Sequence, residues 1–160
     1  MAKSSISILD NKKAYEEFEK RISDIENSGV YSEIGIFADA VSSDGRNIVE
    51  YATTNEFGDD SQNIPERPFV RSAIDLHEKD IVKHIKARAR DYAYGKIDDP
   101  IKAIEKSGKY VVKKMKENID RDEFVENAPY TIRKKGFDMP LYDSGDMYNN
   151  IVNREGIDKK

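Results

Sequence analysis

Cysteine and tryptophan are both absent from this 160-residue chain, and histidine occurs only twice. Without cysteine there can be no disulfide and no thiolate metal site, so any stability must come from an ordinary apolar core. No apolar run approaches the 18 or so residues that a membrane helix needs. Met1 to Asp10 has one lysine and no apolar stretch, which does not fit a secretory signal. Several catalytic signatures are also missing: there is no glycine-rich phosphate loop with a trailing lysine, and no Gly-x-Ser-x-Gly elbow. His77 and His84 are seven positions apart on a predicted helix, about 10 Å along its axis. Two ligands for one ion would stand four apart, so the metal case is weak. The expectation is His77 at a core edge, His84 at the surface, and no cofactor or metal.

Charge is plentiful. Charged residues make up 36% of the chain and hydrophobic ones 38%, which implies a modest core under a heavily charged surface. The net charge of -4 argues against a general nucleic-acid binder but leaves room for a local basic patch. A chain of this length makes one domain, with enough interior to fold without staples.

The pattern along the chain predicts an α+β fold. It consists of a small antiparallel or mixed sheet packed against two long helices and an N-terminal helix, with a long ordered loop near the C-terminus. Residues 1–9 read as a flexible arm, 10–153 as the domain and 154–160 as a tail. Tyr15, Phe18, Ile22 and Ile25 form a stripe on a helix over 11–27, stopped by Gly29. Val30 to Asp39 alternates like a half-buried strand, and Ile48 to Thr54 reads as its return, giving a hairpin over 31–54. Asp59 to Asn63 reads as a mobile polar loop.

A long helix over 68–92 follows, with Val70, Ile74, His77, Ile81 and Ile85 along one face. Lys79, Lys83, Lys86 and Arg90 lie along the opposite face. That basic stripe is the best functional candidate by composition, as a contact for DNA phosphate or an acidic partner. The bland reading is a solvated helix face. Asp99 and Pro100 open a second long helix carrying Ile101, Ile104, Val111, Val112, Met115 and Ile119. Gly108 lies within that stripe, which suggests a close backbone crossing, with helix 68–92 as the candidate partner.

The late segment is rich in turns and polar groups. Asp138, Asp143 and Asp146 could bind a hard cation, or serve a hydrolase, but lack the spacing of a known loop. Asp143 or Ser144 is more simply the cap of a short helix over 145–152. Tyr92, Tyr94, Tyr130, Tyr142 and Tyr148 fall near element ends and could serve an interface or cover the domain's own core.

Three segments in order carry a resemblance. They are Asn55-Glu56-Phe57-Gly58; Ile64-Pro65-Glu66-Arg67-Pro68-Phe69-Val70 leading into a long helix; and Asn127-Ala128-Pro129-Tyr130-Thr131-Ile132 with Lys135-Gly136 and Pro140-Leu141-Tyr142-Asp143-Ser144-Gly145. Together they resemble the neck and tail-completion proteins of tailed bacteriophages, the virion-morphogenesis or head–tail joining group.

The resemblance implies a structural, non-enzymatic subunit that forms a ring, commonly of six, where the tail meets the connector. DNA would pass through the ring without sequence specificity. The implied neighbours are other copies of the chain, portal-side or connector proteins and tail-tube proteins, with no membrane. The implied location is the virion, after assembly in the host cytoplasm.

The positions that carry over are structural: Glu56, Phe57, Gly58, Pro65, Arg67, Pro68, Phe69, Pro129, Lys135, Gly136, Leu141, Asp143 and Gly145. Two features depart from the family pattern. The tryptophan that often precedes the Asn-x-Pro segment is missing, with Phe124 the candidate substitute. Only eight residues follow Val152, so the usual final strand would be short or absent. A tail-terminator ring is the near alternative. A small DNA-binding regulator using the stripe on helix 68–92 is the alternative from another class.

Overall fold

The computed structural model describes residues 3–158, and its architecture is α+β: six α-helices and one two-stranded antiparallel sheet. Helix α1 (Lys3–Asn27) is already under way at Lys3, well ahead of the start expected near Asn11. The stretch read as an arm is therefore helical from that point, with Met1 and Ala2 outside the described residues. The helix stops where expected. Gly29 takes φ +62°, and a Cβ there would come within 2.6 Å of the Asp158 carbonyl oxygen. Glycine serves here both the turn and the close approach of the C-terminal strand.

Strand β1 (Val30–Gly35) pairs with β2 (Val152–Ile157), from Val30 opposite Ile157 to Gly35 opposite Val152. This corrects two expectations. The hairpin over 31–54 does not form, because Ile48–Phe57 is helix α2 rather than a returning strand. Asn47 caps it by accepting the Val49 N–H at 2.8 Å, and Ile48, Ala52 and Glu56 recur every four residues on its buried side. In a stretch this short, that spacing competes with alternation, and the cap decides for the helix. The second correction concerns the chain end. Residues 154–157, read as tail, are ladder residues of β2, so the final strand is present and fills the sheet position expected for 48–54.

Helix α3 (Phe69–Ala93) and helix α4 (Pro100–Asp120) pack along each other, and α4 also packs against both strands. Asp99 caps α4 by accepting the Ile101 N–H at 2.9 Å, and Pro100 is its first residue, as the sequence suggested. The apolar side of α4 is also as read: Val111, Met115 and Ile119 are buried. On α3 the buried line is Phe69, Ala73 and Ile81, while Ile74 and Ile85 lie at its exposed edge. The small Ala73 faces inward, which turns the larger isoleucines toward solvent.

Gly108 does mark a close crossing, but with the sheet rather than with α3. A Cβ at Gly108 would meet the Ser32 Oγ at 2.5 Å and the Asn153 Nδ2 at 2.9 Å. The main core gathers Ile48 and Ala52 of α2, Phe69 and Ile81 of α3, and Met115 and Ile119 of α4, together with Met147 and Ile151. Phe124 packs on its edge.

Helix α5 (Pro129–Lys135) and the single turn of α6 (Asp146–Asn149) lie in the late segment. Helix α6 is shorter than the 145–152 expected, because the chain enters β2 at Val152. Neither Asp143 nor Ser144 caps it: the cap position is Gly145, with no side-chain cap, and the Ser144 Oγ only accepts the Asp146 N–H at 3.3 Å. The 59–63 segment is ordered into a 3-10 turn over Asp60–Gln62. The Asp59 carboxylate accepts from the Ser61 N–H, the Ser61 hydroxyl and the Gln62 amide.

Candidate functional site

The turn between α2 and α3 is held by two buried charged side chains. Helix α3 starts behind Pro68, which offers neither an N–H nor a side-chain cap. Its first N–H groups are met instead from α2. The Glu56 carboxylate accepts Val70 N–H at 2.9 Å, Arg71 N–H at 3.1 Å and Arg71 Nε at 3.0 Å. A buried anion at a helix N-terminus is favoured both by those donors and by the helix dipole. Arg71 also donates to the Glu56 carbonyl oxygen and to Glu66, and its guanidinium lies 4.7 Å from the centroid of the exposed Phe57 ring. Gly58 follows at φ +74°, where a Cβ would approach the Glu66 nitrogen to 3.0 Å.

Arg67 is the second buried charge, at 6% exposure. Its Nε donates to the Val125 carbonyl at 2.8 Å and its Nη2 to the Glu126 carbonyl at 2.9 Å. A longer contact, 3.4 Å, joins Nη1 to the Asn55 Oδ1. Arg67 therefore ties the chain leaving α4 to the turn entering α3. Burial pushes its guanidinium below its ordinary range, partly offset by the charge of Asp138.

The segments bearing the resemblance converge on a single open cleft of about 410 Å³. Pro65 and Arg67 line it from the α2–α3 turn; Lys135 from α5; Leu141, Asp143 and Gly145 from the late loop. Ser43, Asp44 and Arg46 close it from the loop before α2. Asp146 stitches that loop to the late segment, accepting from the Ser43 N–H at 3.1 Å, the Ser43 hydroxyl at 2.8 Å and the Ser144 hydroxyl at 2.7 Å. Those bonds, led by Ser144, hold the Asp146 carboxyl below its usual range. Lys135 donates its ammonium to the Met139 carbonyl at 2.6 Å, and burial lowers its pKa.

Most of the other positions that carry the resemblance are backbone devices. Pro129 opens α5, Gly136 ends it at φ +83°, and Leu141 and Gly145 adopt φ +63° and +85°. Phe69 is among the most deeply buried side chains in the molecule.

The aspartates considered for a cation do not come together. Asp138 turns to Asn127, accepting its N–H at 3.2 Å and its side-chain amide at 2.9 Å, and lies outside the cleft. Among the described residues, no group of three His, Asp or Glu side chains is arranged to hold a metal ion. His84 is not a surface residue either. It stacks on Tyr110 at 4.1 Å in the seam between α3 and α4, with its Nδ1 buried and unbonded.

Lys79, Lys83, Lys86 and Arg90 project from the exposed face of α3, and none forms an ion pair among the described residues. They do not reach the cleft, so the molecule carries two separate candidate surfaces. The tyrosines divide. Tyr92 is buried, Tyr142 and Tyr148 pack edge to face at 6.0 Å, and Tyr94 and Tyr130 are 67% and 70% exposed.

Two contributors escape the sequence pattern, Arg71 and the Ser43–Asp146 link. Arg71 is signalled only by following the Arg-Pro-Phe segment at a helix start. The serine–aspartate link joins residues 103 positions apart and leaves no local trace. Set against known proteins, the chain matches no family model, and no curated protein or solved structure shows significant similarity to it.

Proposed function

We propose that this chain is a structural subunit of a tailed-phage neck, acting in head–tail joining or tail completion as a ring around the DNA channel. The observation that carries the reading is the convergence of the three resembling segments on one cleft. Their polar residues are engaged in holding chain segments to one another: Glu56 on the start of α3, Arg67 on Val125 and Glu126, Lys135 on Met139. Such side chains fix the shape of a late loop, and a ring subunit needs loops of fixed shape to meet its neighbours. Exposed Tyr94 and Tyr130 supply amphipathic contact area of the kind found in interfaces.

The test is localisation in a particle. Antibody labelling and electron cryomicroscopy of tailed virions should place the chain as a ring at the tail-proximal end of the connector. A position on the tail-tube side alone would instead mean a terminator ring. Absence of the chain from the particle overturns the proposal.

The α3 ridge favours a second reading, a DNA-binding regulator, since four exposed cations without acidic partners among the described residues suit phosphate contact. That reading requires the dilute, unassembled chain to bind duplex DNA with a steep salt dependence.

A further inference from the structure

A sheet of two strands leaves each strand with one unpaired side. Which backbone groups stand there follows from the ladder. The Asp158 N–H donates to the Gly29 carbonyl at 2.9 Å, one step beyond the pair of Val30 and Ile157. Bonded and non-bonded pairs alternate in an antiparallel ladder. Tyr31, Glu33 and Gly35 therefore turn their N–H and C=O groups to β2, while Val30, Ser32 and Ile34 turn theirs away. The Val30 N–H agrees, donating to the Ser28 Oγ at 3.3 Å rather than to β2. Among the described residues, the N–H groups of Ser32 and Ile34 find no acceptor. Helix α4 covers one face of the sheet, and no other helix packs closely along either strand.

The two edges differ. On β2, Glu155 turns its backbone to the open side and its carboxylate toward α4, where it meets the Ser32 Oγ at 3.4 Å and the Asn153 amide. An inward charge of this kind, beside the charged Arg154, guards an edge against an added strand. Strand β1 has no such guard. Its run Val-Tyr-Ser-Glu-Ile-Gly carries one charge, and its branched and aromatic residues favour extended backbone.

We propose that β1 pairs antiparallel with β1 of a second copy, about a two-fold axis at Ser32, to give a four-stranded sheet. The strand is complementary to itself in that register. Ser32 faces Ser32 of the second copy, Val30 faces Ile34, and Tyr31 faces Glu33, whose carboxylate can accept from the phenol. The neighbouring symmetric registers are poorer. An axis at Glu33 sets that carboxylate against its own copy, and an axis at Tyr31 carries Ile34 past the end of the other strand. A two-fold contact closes on itself and cannot run on around a ring. The pair is thus a state of the unassembled chain, and the inference stands apart from the neck reading.

The test is amide exchange of the full chain, read residue by residue by NMR in dilute and concentrated solution. The Tyr31 and Glu33 amides are bonded to β2 and should be protected in both. Those of Ser32 and Ile34 should slow by at least about tenfold once nearly all chains are paired. Sedimentation should show monomer giving way to dimer over the same range. Ser32→Pro removes an N–H that the internal ladder does not use, so it should hold the chain monomeric. Ser32→Ala loses the same hydroxyl but keeps the N–H, and should still pair.

The exchange pattern needs no variant, so the outcome does not depend on whether Ser32→Pro folds. A chain that stays monomeric at every concentration overturns the proposal. So does a dimer whose Ser32 and Ile34 amides remain unprotected, or one in which Asn153, Glu155 and Ile157 gain the protection instead.

Discussion

Glu56 shows how much one side chain can decide in this fold. It sits on α2, is 6% exposed, and serves as the cap that Pro68 cannot provide for α3. Removing it leaves the Val70 and Arg71 N–H groups unmet in a dry environment. Hydrogen bonds to a buried charge contribute about 1.5–3 kcal/mol, and Glu56→Ala should lower stability by about that amount. In urea the unfolding midpoint should fall while the slope stays constant, since the surface exposed on unfolding does not change. A midpoint equal to that of the parent would mean the α3 terminus finds other partners. Sequence alone picked out Glu56 as a motif position but not as a cap, because its target lies fourteen residues ahead on another element. Asp99, whose partner is local, was legible in full, whereas at Gly29 the helix stop was legible and the approach of Asp158 was not.

At the scale of elements the same division recurs. Both long helices and the apolar side of α4 follow from periodicity, because a helix is written in residues three and four apart, and the Asp99 cap of α4 is local too. The sheet does not, because its two strands lie far apart in the chain, Val30 opposite Ile157, and no local pattern links them. Short stretches such as 48–54 are then assigned to the nearest candidate strand, and a hairpin is the natural error. The α3–α4 seam carries a consequence for pH. His84 lies there against Tyr110 with Nδ1 unbonded, and burial, aided by the Arg88 charge, holds its pKa below the ordinary 6.5. As pH falls through 6.5 the unfolded chain takes up the proton first, so the seam loses stability from there downward. The loss levels off once the folded imidazole also protonates. Urea midpoints should drop between pH about 7 and about 5.5, and His84→Phe, which keeps the stacking, should flatten that drop. A parent curve already flat across that window would show that His84 is solvated in solution.

The whole molecule presents two surfaces of different character: a cleft built by the resembling segments and, away from it, a ridge of four cations on α3. Lys79 to Arg90 spans about 16 Å at the helical rise of 1.5 Å per residue. These side chains are exposed and form no ion pair among the described residues, so their charge contributes little to folding. Changing all four to glutamine should leave stability within about 0.5 kcal/mol of the parent per site. Any larger effect must then appear in what the surface meets. If the chain works within a ring, a single copy offers at most four phosphate contacts, and strength comes from repeating them around the assembly. The isolated parent should bind duplex DNA weakly at physiological salt, and the glutamine variant should still fold yet join particles poorly. Parallel titrations of the dilute chain and counts of incorporated subunits separate these effects. Tight binding by the dilute parent, with an affinity that collapses as salt rises, would instead show the ridge to be complete in one copy and favour the regulator. Weak binding by the monomer together with defective incorporation of the variant would place the ridge's work in the assembled state.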